Sequence, residues 1–257
     1  MSLHDQATRL LHLHQDTHLL TVVNVWDPIS AKVVADEPST TALATASHSI
    51  AASFGYEDGE NIPLELHLQA IERIVGATDL PVSADLEGGY GDAGDTVRRA
   101  IGVGVVGANL EDRLRPLDEA VANVRAAVKA GEAEGIPFVL NARTDAFVRG
   151  GKRSAEENLA DAVTRGKAYL DAGAPVVFVP GLLDEAQVTT LVDAFGPQRL
   201  TLIAVPGSLP LARLQELGVA RVSYGPFSQR VALMALQDLV RDVHAGGGLP
   251  AEVRPLN

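Results

Sequence analysis

From about residue 20 to residue 244, apolar β-prone runs alternate with amphipathic segments. The pattern predicts strands over 20–26, 41–45, 80–85, 107–111, 136–141, 175–179, 200–204 and 220–223. Helices are predicted near 28–36, 63–76, 94–103, 117–134, 154–172, 184–195, 208–217 and 226–244. One stripe at helical spacing is especially clear: Leu117, Ala120, Val121, Val124, Ala127 and Val128. Pro116 precedes that helix, and Ser154 with Glu157 three residues on has capping-box spacing. Turn residues such as Gly135, Gly173 and Gly218 close helices just before the next strand. Eight strands and eight helices in strict alternation predict parallel pairing through crossover helices, hence a single (β/α)8 TIM barrel spanning 1–257. A doubly wound open sheet uses the same alternation and is the alternative. Residues 1–18 read as an extra N-terminal helix, and 245–257 as a loose tail.

Composition agrees with that picture. The 257 residues are 46% hydrophobic, enough for a sizeable core. The net charge of −12 argues against nucleic acid or an anionic membrane as partner. A small anionic substrate remains compatible if a metal or local arginines reverse the field at the site. With no cysteine, disulfides, thiolate metal sites and cysteine nucleophiles are excluded. No apolar stretch approaches membrane-spanning length, and the N-terminus lacks a signal-peptide layout, so the expectation is a soluble cytoplasmic protein.

In a (β/α)8 barrel, chemistry gathers at the C-terminal ends of the strands. Here those ends read Asn24-Val-Trp26-Asp27, Ala44-Thr45-Ala46-Ser47-His48, Asp85-Leu-Glu87, Leu110-Glu111-Asp112-Arg113 and Asn141-Ala-Arg143-Thr144-Asp145. The last three ends, near Gly181, Ala204-Val205-Pro206 and Tyr224-Gly225, are blander. If the third strand holds through residue 87, Asp85 and Glu87 point to one side, a pair of hard oxygen ligands suited to Mg²⁺. Arg143, closing an apolar strand, offers a fork for a carboxylate. Plainer readings stand beside these. Trp26 suits the core, Asp27 before Pro28 suits a helix N-cap, and Glu111 and Asp112 suit surface pairing with Arg113 or Arg115.

Two motifs mislead. Gly102-Val-Gly104-Val-Val-Gly107 fits a dinucleotide fingerprint, but it follows a helix and precedes a strand, the reverse of the required order. Histidines 12, 14 and 18 include an i,i+4 pair that lacks a third ligand, so an exposed helix face is expected there.

Taken in register, these strand ends resemble the isocitrate lyase/phosphoenolpyruvate mutase superfamily over nearly the whole chain. Asn24-Val-Trp26-Asp27 is similar to its first-strand motif, and Gly55-Tyr-Glu-Asp58-Gly-Glu to its loop after strand two. Asp85-Leu-Glu87-Gly-Gly-Tyr-Gly-Asp is similar to its D-x-D-x-G-Y-G metal motif. Leu110-Glu111-Asp112 is similar to its I-E-D strand, and Asn141-Ala-Arg143-Thr144-Asp145-Ala to its A-R-T-D-A. The resemblance implies a Mg²⁺-dependent lyase-type enzyme cleaving or forming C–C or P–C bonds in a small anionic 2-oxo acid or its adduct. It also implies a homodimer or homotetramer in which the last helix is exchanged. By position, Asp85 would ligate Mg²⁺, with Glu87 and Glu111 holding its waters. Thr45, Ala46 and Ser47 would bind the substrate carboxylate, with Trp26 on the substrate side. Asp58, Glu111 and Arg143 would serve catalysis, and Arg230 would contact substrate.

The departures are equally specific. Glu87 replaces the usual second Asp of the metal motif. The superfamily's lyases carry a K-K-C-G-H loop whose cysteine is the acid–base residue; here Glu111-Asp112-Arg113-Leu-Arg115 runs straight to Pro116. The metal half of the motif set is kept while the half that distinguishes the known activities is changed. Oxaloacetate or phosphonopyruvate hydrolysis or decarboxylation is therefore an alternative reading, and a non-catalytic 2-oxo acid binder is another.

Overall fold

The computed structural model describes residues 1–256. Its strands are β1 (Leu20–Val22), β2 (Asn24–Val25), β3 (Leu43–Thr45), β4 (Val82–Asp85), β5 (Gly107–Glu111), β6 (Val139–Arg143), β7 (Val176–Phe178), β8 (Leu200–Ile203) and β9 (Arg221–Ser223). The helices are α1 (Leu3–Gln15), α2 (Pro28–Ala35), α3 (Ser47–Ser53), α4 (Leu64–Val75), α5 (Ala93–Gly102), α6 (Leu117–Ala133), α7 (Ala155–Asp171), α8 (Glu185–Phe195), α9 (Leu211–Glu216) and α10 (Phe227–His244). Every strand pair is parallel, and the order runs sequentially from β2 to β9 and then to β1.

β1 and β2 are the two halves of the predicted first strand, parted at Val23. Leu20 pairs with Arg221 of β9, while Asn24 pairs with Ala44 of β3. The sheet therefore closes through its first stave, which gives a (β/α)8 barrel and removes the open-sheet alternative. The Asn24 side chain stitches the seam at the C-terminal mouth. Its Nδ2 donates to the Thr45 carbonyl (2.8 Å), and its Oδ1 accepts from the backbone N–H groups of Tyr224 and Gly225 (2.8 Å each).

Local chemistry sets the helix boundaries. Asp27 caps α2 by accepting from Ser30 N–H (2.7 Å) with Pro28 in the first turn, so the plainer reading of Asp27 holds. Ser154 and Glu157 form the expected capping box of α7. The segment 102–107 turns from α5 into β5, with Gly104 at φ +97°, and is no dinucleotide loop. α3 is absent from the expected elements because its seven residues, Ser-His-Ser-Ile-Ala-Ala-Ser, are too short to show a helical stripe.

α1 closes the barrel floor. Leu10 packs against Gly107 at the start of β5, where even an added Cβ would stand 2.8 Å from it. His14 is fully buried rather than on an exposed face, which corrects the expectation; α1 stops at Gln15, so His18 lies beyond it and no i,i+4 pair forms on one helix. The reason is packing: Ala7, Leu10 and His14 form the helix's buried stripe. Nδ1 of His14 donates to the Leu10 carbonyl (2.8 Å). Burial, assisted by the nearby Arg221 charge, lowers its pKa to about 3.

α10 is the exception to the wrapped barrel. Only Gln229 of its residues is buried, and Val231, Leu233, Met234, Leu236, Val240 and Val243 are exposed. Val23 and Thr21, on the outer face of the first stave, are also uncovered.

A neutral buried histidine makes stability depend on pH in one direction. The unfolded chain takes up a proton near pH 6.5 that the folded chain refuses down to about 3. The contribution is thus complete above pH 6.5 and is lost as pH falls through that window, with a limiting slope of about 1.4 kcal/mol per pH unit. Urea unfolding of wild type and His14→Gln should show this slope in the difference between the two proteins. A pH-independent difference would refute it.

Candidate active site

At the C-terminal mouth of the barrel lies a cavity of about 270 Å³. Ser47, His48, Asp58, Asp85, Asn109 and Arg143 line its polar side, and Val148, Phe178, Ile203 and Val205 face them. Two larger hollows, of about 370 and 460 Å³, lie beside α1, away from the mouth.

Asp85 ends β4 on the cavity wall. One carboxylate oxygen, Oδ2, accepts from the N–H (3.2 Å) and Oγ (2.9 Å) of Ser47, at the first turn of α3. Ser47 Oγ also lies 3.2 Å from Asp58 Oδ1, so one hydroxyl bridges two carboxylates. Thr45 stands behind the wall and accepts from the Asp85 N–H (2.9 Å). Below, Nε2 of His67 donates to the Asp85 carbonyl (3.0 Å), while burial lowers the His67 pKa against the pull of Asp85. Deeper in the barrel, Arg221 donates to Ser83 Oγ (3.1 Å). Burial lowers the Arg221 pKa to about 10, partly offset by Asp85, so it stays charged beneath the site.

Glu87 departs from the strand alternation expected for it. β4 ends at Asp85, and Glu87 has φ +51°, a left-handed conformation, so Asp85 and Glu87 do not leave one strand side by side. The turn folds Glu87 inward to 2% exposure, where it accepts from Tyr90 OH (3.0 Å) and from the Glu60 N–H. Burial and the neighbouring Asp85 and Asp58 charges raise its pKa to about 7.

Glu111 ends β5 and Asp112 follows it, and the two side chains take different partners. Glu111 pairs with Arg143 (2.8 Å) and Arg113 (2.9 Å). Arg143 also donates through Nε to Asp145 (2.7 Å), leaving Nη2 outside both pairs. Burial opposes the Arg143 charge, but Glu111 and Asp145 outweigh it and raise the pKa. Asp112 turns away into the frame, accepting from Tyr169 OH (2.6 Å), Arg165 Nη1 (3.2 Å) and the N–H groups of Leu114 (2.9 Å) and Asp145 (3.0 Å). The surface pairing expected for these two acids is therefore a buried one, with Arg113 as only one of its partners.

Of the other residues expected in the site, Ala46 lines the cavity and Thr45 supports it from behind. Trp26 does not line it; it is half-buried against the core. Arg230 is exposed, stacked over Phe227 (5.0 Å) with its guanidinium 3.5 Å from Nε2 of His48 at the cavity edge. Asn24, His48, Asn109 and Ser223 line the cavity without having been singled out. Asn24 and His48 sat within the quoted strand ends, whereas nothing in the linear pattern marks the inward direction of Asn109.

The donor set suits a divalent cation that keeps part of its water. No three His, Asp or Glu side chains converge as a ready-made cage among the described residues. Two carboxylates, Asp58 and Asp85, nevertheless share the cavity wall, and Glu87 is buried close enough for their charge to hold its own ionisation up. Such crowding favours a small hard cation taking one or two direct carboxylates.

The family profile of phosphoenolpyruvate phosphomutase matches residues 10–244. The chain belongs to that family. It is accordingly an enzyme of the phosphoenolpyruvate mutase/isocitrate lyase superfamily, whose members similar to it are lyases and mutases. It is 28% identical over 258 residues to an oxaloacetate decarboxylase of Paraburkholderia xenovorans, covering 94% of this chain and 83% of the relative. A phosphonomutase-like protein of Burkholderia cenocepacia superposes with TM-score 0.87 at 39% identity, covering 93% of this chain and 99% of that one. Oxaloacetate acetylhydrolase with bound oxalate superposes with TM-score 0.86 at 26% identity, covering 98% and 91%.

Within this family member, neighbouring acids differ in kind: Glu111 stands behind the cavity, holding its lining residue Arg143, and Asp112 holds the frame. Asp112→Ala would strand the buried Tyr169 hydroxyl and the Asp145 N–H, and would leave Arg165 with only Asp161 and the Arg115 carbonyl. Removing one partner of such a buried pair costs about 3–5 kcal/mol. Denaturant unfolding should register that loss, with Asp112→Asn losing less; a change below about 1 kcal/mol would show that the network is not holding α7 to the barrel.

Proposed function

We propose that this enzyme is a Mg²⁺-dependent lyase acting on a small 2-oxo acid or its adduct, breaking a C–C or P–C bond to leave an enolate-like oxyanion. The observation that carries the reading is the meeting of Asp58, Asp85 and Arg143 on one compact cavity, with Glu87 and Glu111 directly behind. The names of its relatives support the substrate class: oxaloacetate decarboxylase, 2-methylisocitrate lyase and oxaloacetate acetylhydrolase.

In this reading Asp85 ligates Mg²⁺, and Glu87 and Glu111 orient its waters. Bound there, the cation supplies Lewis acidity toward charge growing on the 2-oxo oxygen. Ala46 and Ser47, where β3 passes into α3, receive the substrate carboxylate on the wall that Thr45 supports. Arg143 is held from two sides and keeps Nη2 for the substrate, a preorganised donor toward the developing anion. Asp58 enters no ion pair among the described residues and is the group we assign to proton transfer where the lyases use cysteine. Arg230 is a second cation within reach of an entering anion; Trp26, away from the cavity, receives no role. The apolar wall of Phe178, Ile203 and Val205 favours compact substrates over tricarboxylates. We place the enzyme in the cytoplasm; among the described residues no helix is long and apolar enough to cross a membrane.

Calorimetry and a substrate panel test this directly. Asp85→Ala should abolish Mg²⁺ binding, because one carboxylate is a large part of the protein's share of the coordination shell. Wild type should turn over oxaloacetate, phosphonopyruvate or another compact 2-oxo acid only with Mg²⁺, and isocitrate or methylisocitrate poorly. Efficient cleavage of either tricarboxylate, at about 10⁴ M⁻¹s⁻¹ or more, would refute the size argument. Tight binding of the panel without turnover would favour a non-catalytic 2-oxo acid binder.

The same proposal includes a homodimer or homotetramer built by exchange of α10. Its exposed apolar residues and the uncovered Thr21 and Val23 on the barrel wall are two unfilled halves of one contact. Light scattering should find an oligomer, and Leu233→Glu with Leu236→Glu should convert it to monomer. A monomeric wild type would remove this part.

A further inference from the structure

We propose that Arg113 is a positioning residue, a clamp that fixes the outer wall of the site before any ligand arrives. The turn after β5 is tight: Arg113 (φ +50°) and Leu114 (φ +53°) are both left-handed, which swings the Arg113 side chain back over the barrel mouth. There its three nitrogens reach carboxylates from the α3–α4 segment, the β4–α5 loop and the end of β5. Nε pairs with Glu111 (2.9 Å), Nη1 with Glu60 (3.0 Å) and Nη2 with Glu87 (3.5 Å). Glu60 completes the tie, accepting from Tyr90 N–H (2.8 Å) through its other oxygen and donating its own N–H to Glu87. Gly88 is required at the crossing, since a Cβ there would stand 2.9 Å from Arg113 Nε and 3.1 Å from Glu60 Oε1.

A second observation converges on the same place. Six non-glycine residues among those described have positive φ, and five of them are Glu60, Glu87, Tyr90, Arg113 and Leu114. Backbones held in that region persist only where surrounding contacts over-determine them, and they concentrate at functional sites. Burial opposes the Arg113 charge, yet Glu111, Glu60 and Glu87 together hold its pKa up. A planar guanidinium can serve three carboxylates in a fixed fork; an ammonium cannot. Through Glu60 the clamp also steadies the 55–61 segment that carries Asp58 to the cavity.

Only the consequence for Mg²⁺ rests on the proposed metal site; the clamp itself is read in the metal-free protein. Arg113→Lys keeps the charge and loses the fork. Amide hydrogen exchange on the metal-free full chain should be roughly tenfold faster over 55–61 and 87–91 in this variant, as expected for lost charge-assisted hydrogen bonds. Exchange in β6 to β8 should stay unchanged. Mg²⁺ affinity should fall about tenfold, the usual effect of removing an outer partner of a ligand, and kcat should fall more than KM rises. Glu60→Gln, which keeps Arg113 on Glu87 and Glu111, should loosen 55–61 alone, and it carries the test should Arg113→Lys not fold. Wild-type exchange over 55–61 in both variants would overturn the clamp. Faster exchange in a protein whose wild type binds no Mg²⁺ would leave the clamp standing and remove the metal reading.

Discussion

Neutralising negative charge at a crowded barrel mouth is the constraint on which the rest of this structure depends. Asp58, Glu60, Asp85, Glu87, Glu111, Asp112 and Asp145 all lie on the loops or strand ends of one rim. Several are almost fully buried, and a buried carboxylate without a partner is strongly disfavoured. The chain answers with arginines, each serving more than one acid: Arg113 takes three, Arg143 two, and Arg165 joins Asp112 to Asp161. What these guanidiniums leave uncovered is the inner pair, Asp58 and Asp85, tied only through the Ser47 hydroxyl. The residual charge is thus concentrated at the spot where a cation is useful, and the −12 of the whole chain is not spread blindly over it.

Most of the fold was legible because its signals are local and repeated. Eight alternations of period-2 and period-3.6 patterning fall within a few residues of the observed strands and helices, and the caps at Asp27 and Ser154 set boundaries by side chains two or three residues away. Two of the misreadings share a cause. The break at Val23 and the burial of His14 are each decided by a distant segment, the β9 end and the barrel floor, while the seven-residue α3 is too short to leave a stripe. A linear pattern carries no record of them.

The site divides the same way. Asp85, Arg143 and Ser47 were legible as strand-end residues and Asp58 only through the family resemblance, and the barrel brings all four to one cavity. The direction of Glu87 was not, because the alternation rule fails at the residue where the backbone turns left-handed. Glu111 and Asp112 looked interchangeable in sequence, yet Glu111 closes β5 and meets Arg143, while Asp112, one residue past the strand, turns to Tyr169. Arg113 looked like a surface partner; its reach across Glu60 and Glu87 depends on residues 53 and 26 positions away.

That reach bears on what replaces a mobile closing segment. A flexible loop can exclude water after substrate enters, at the cost of ordering itself each time. Here the chain passes from Glu111 to Pro116 through a short turn with two left-handed residues, pinned by Asp112 and by the Arg113–Glu111 pair. At this edge, exclusion of water must then come from the permanent wall and the small cavity behind it. The 270 Å³ volume and the apolar face opposite Asp85 are the counterpart of the rigid turn. On the proposed reading, preorganisation takes the place of closure there: the polar groups are set in advance, and a small anion is favoured by the space already present.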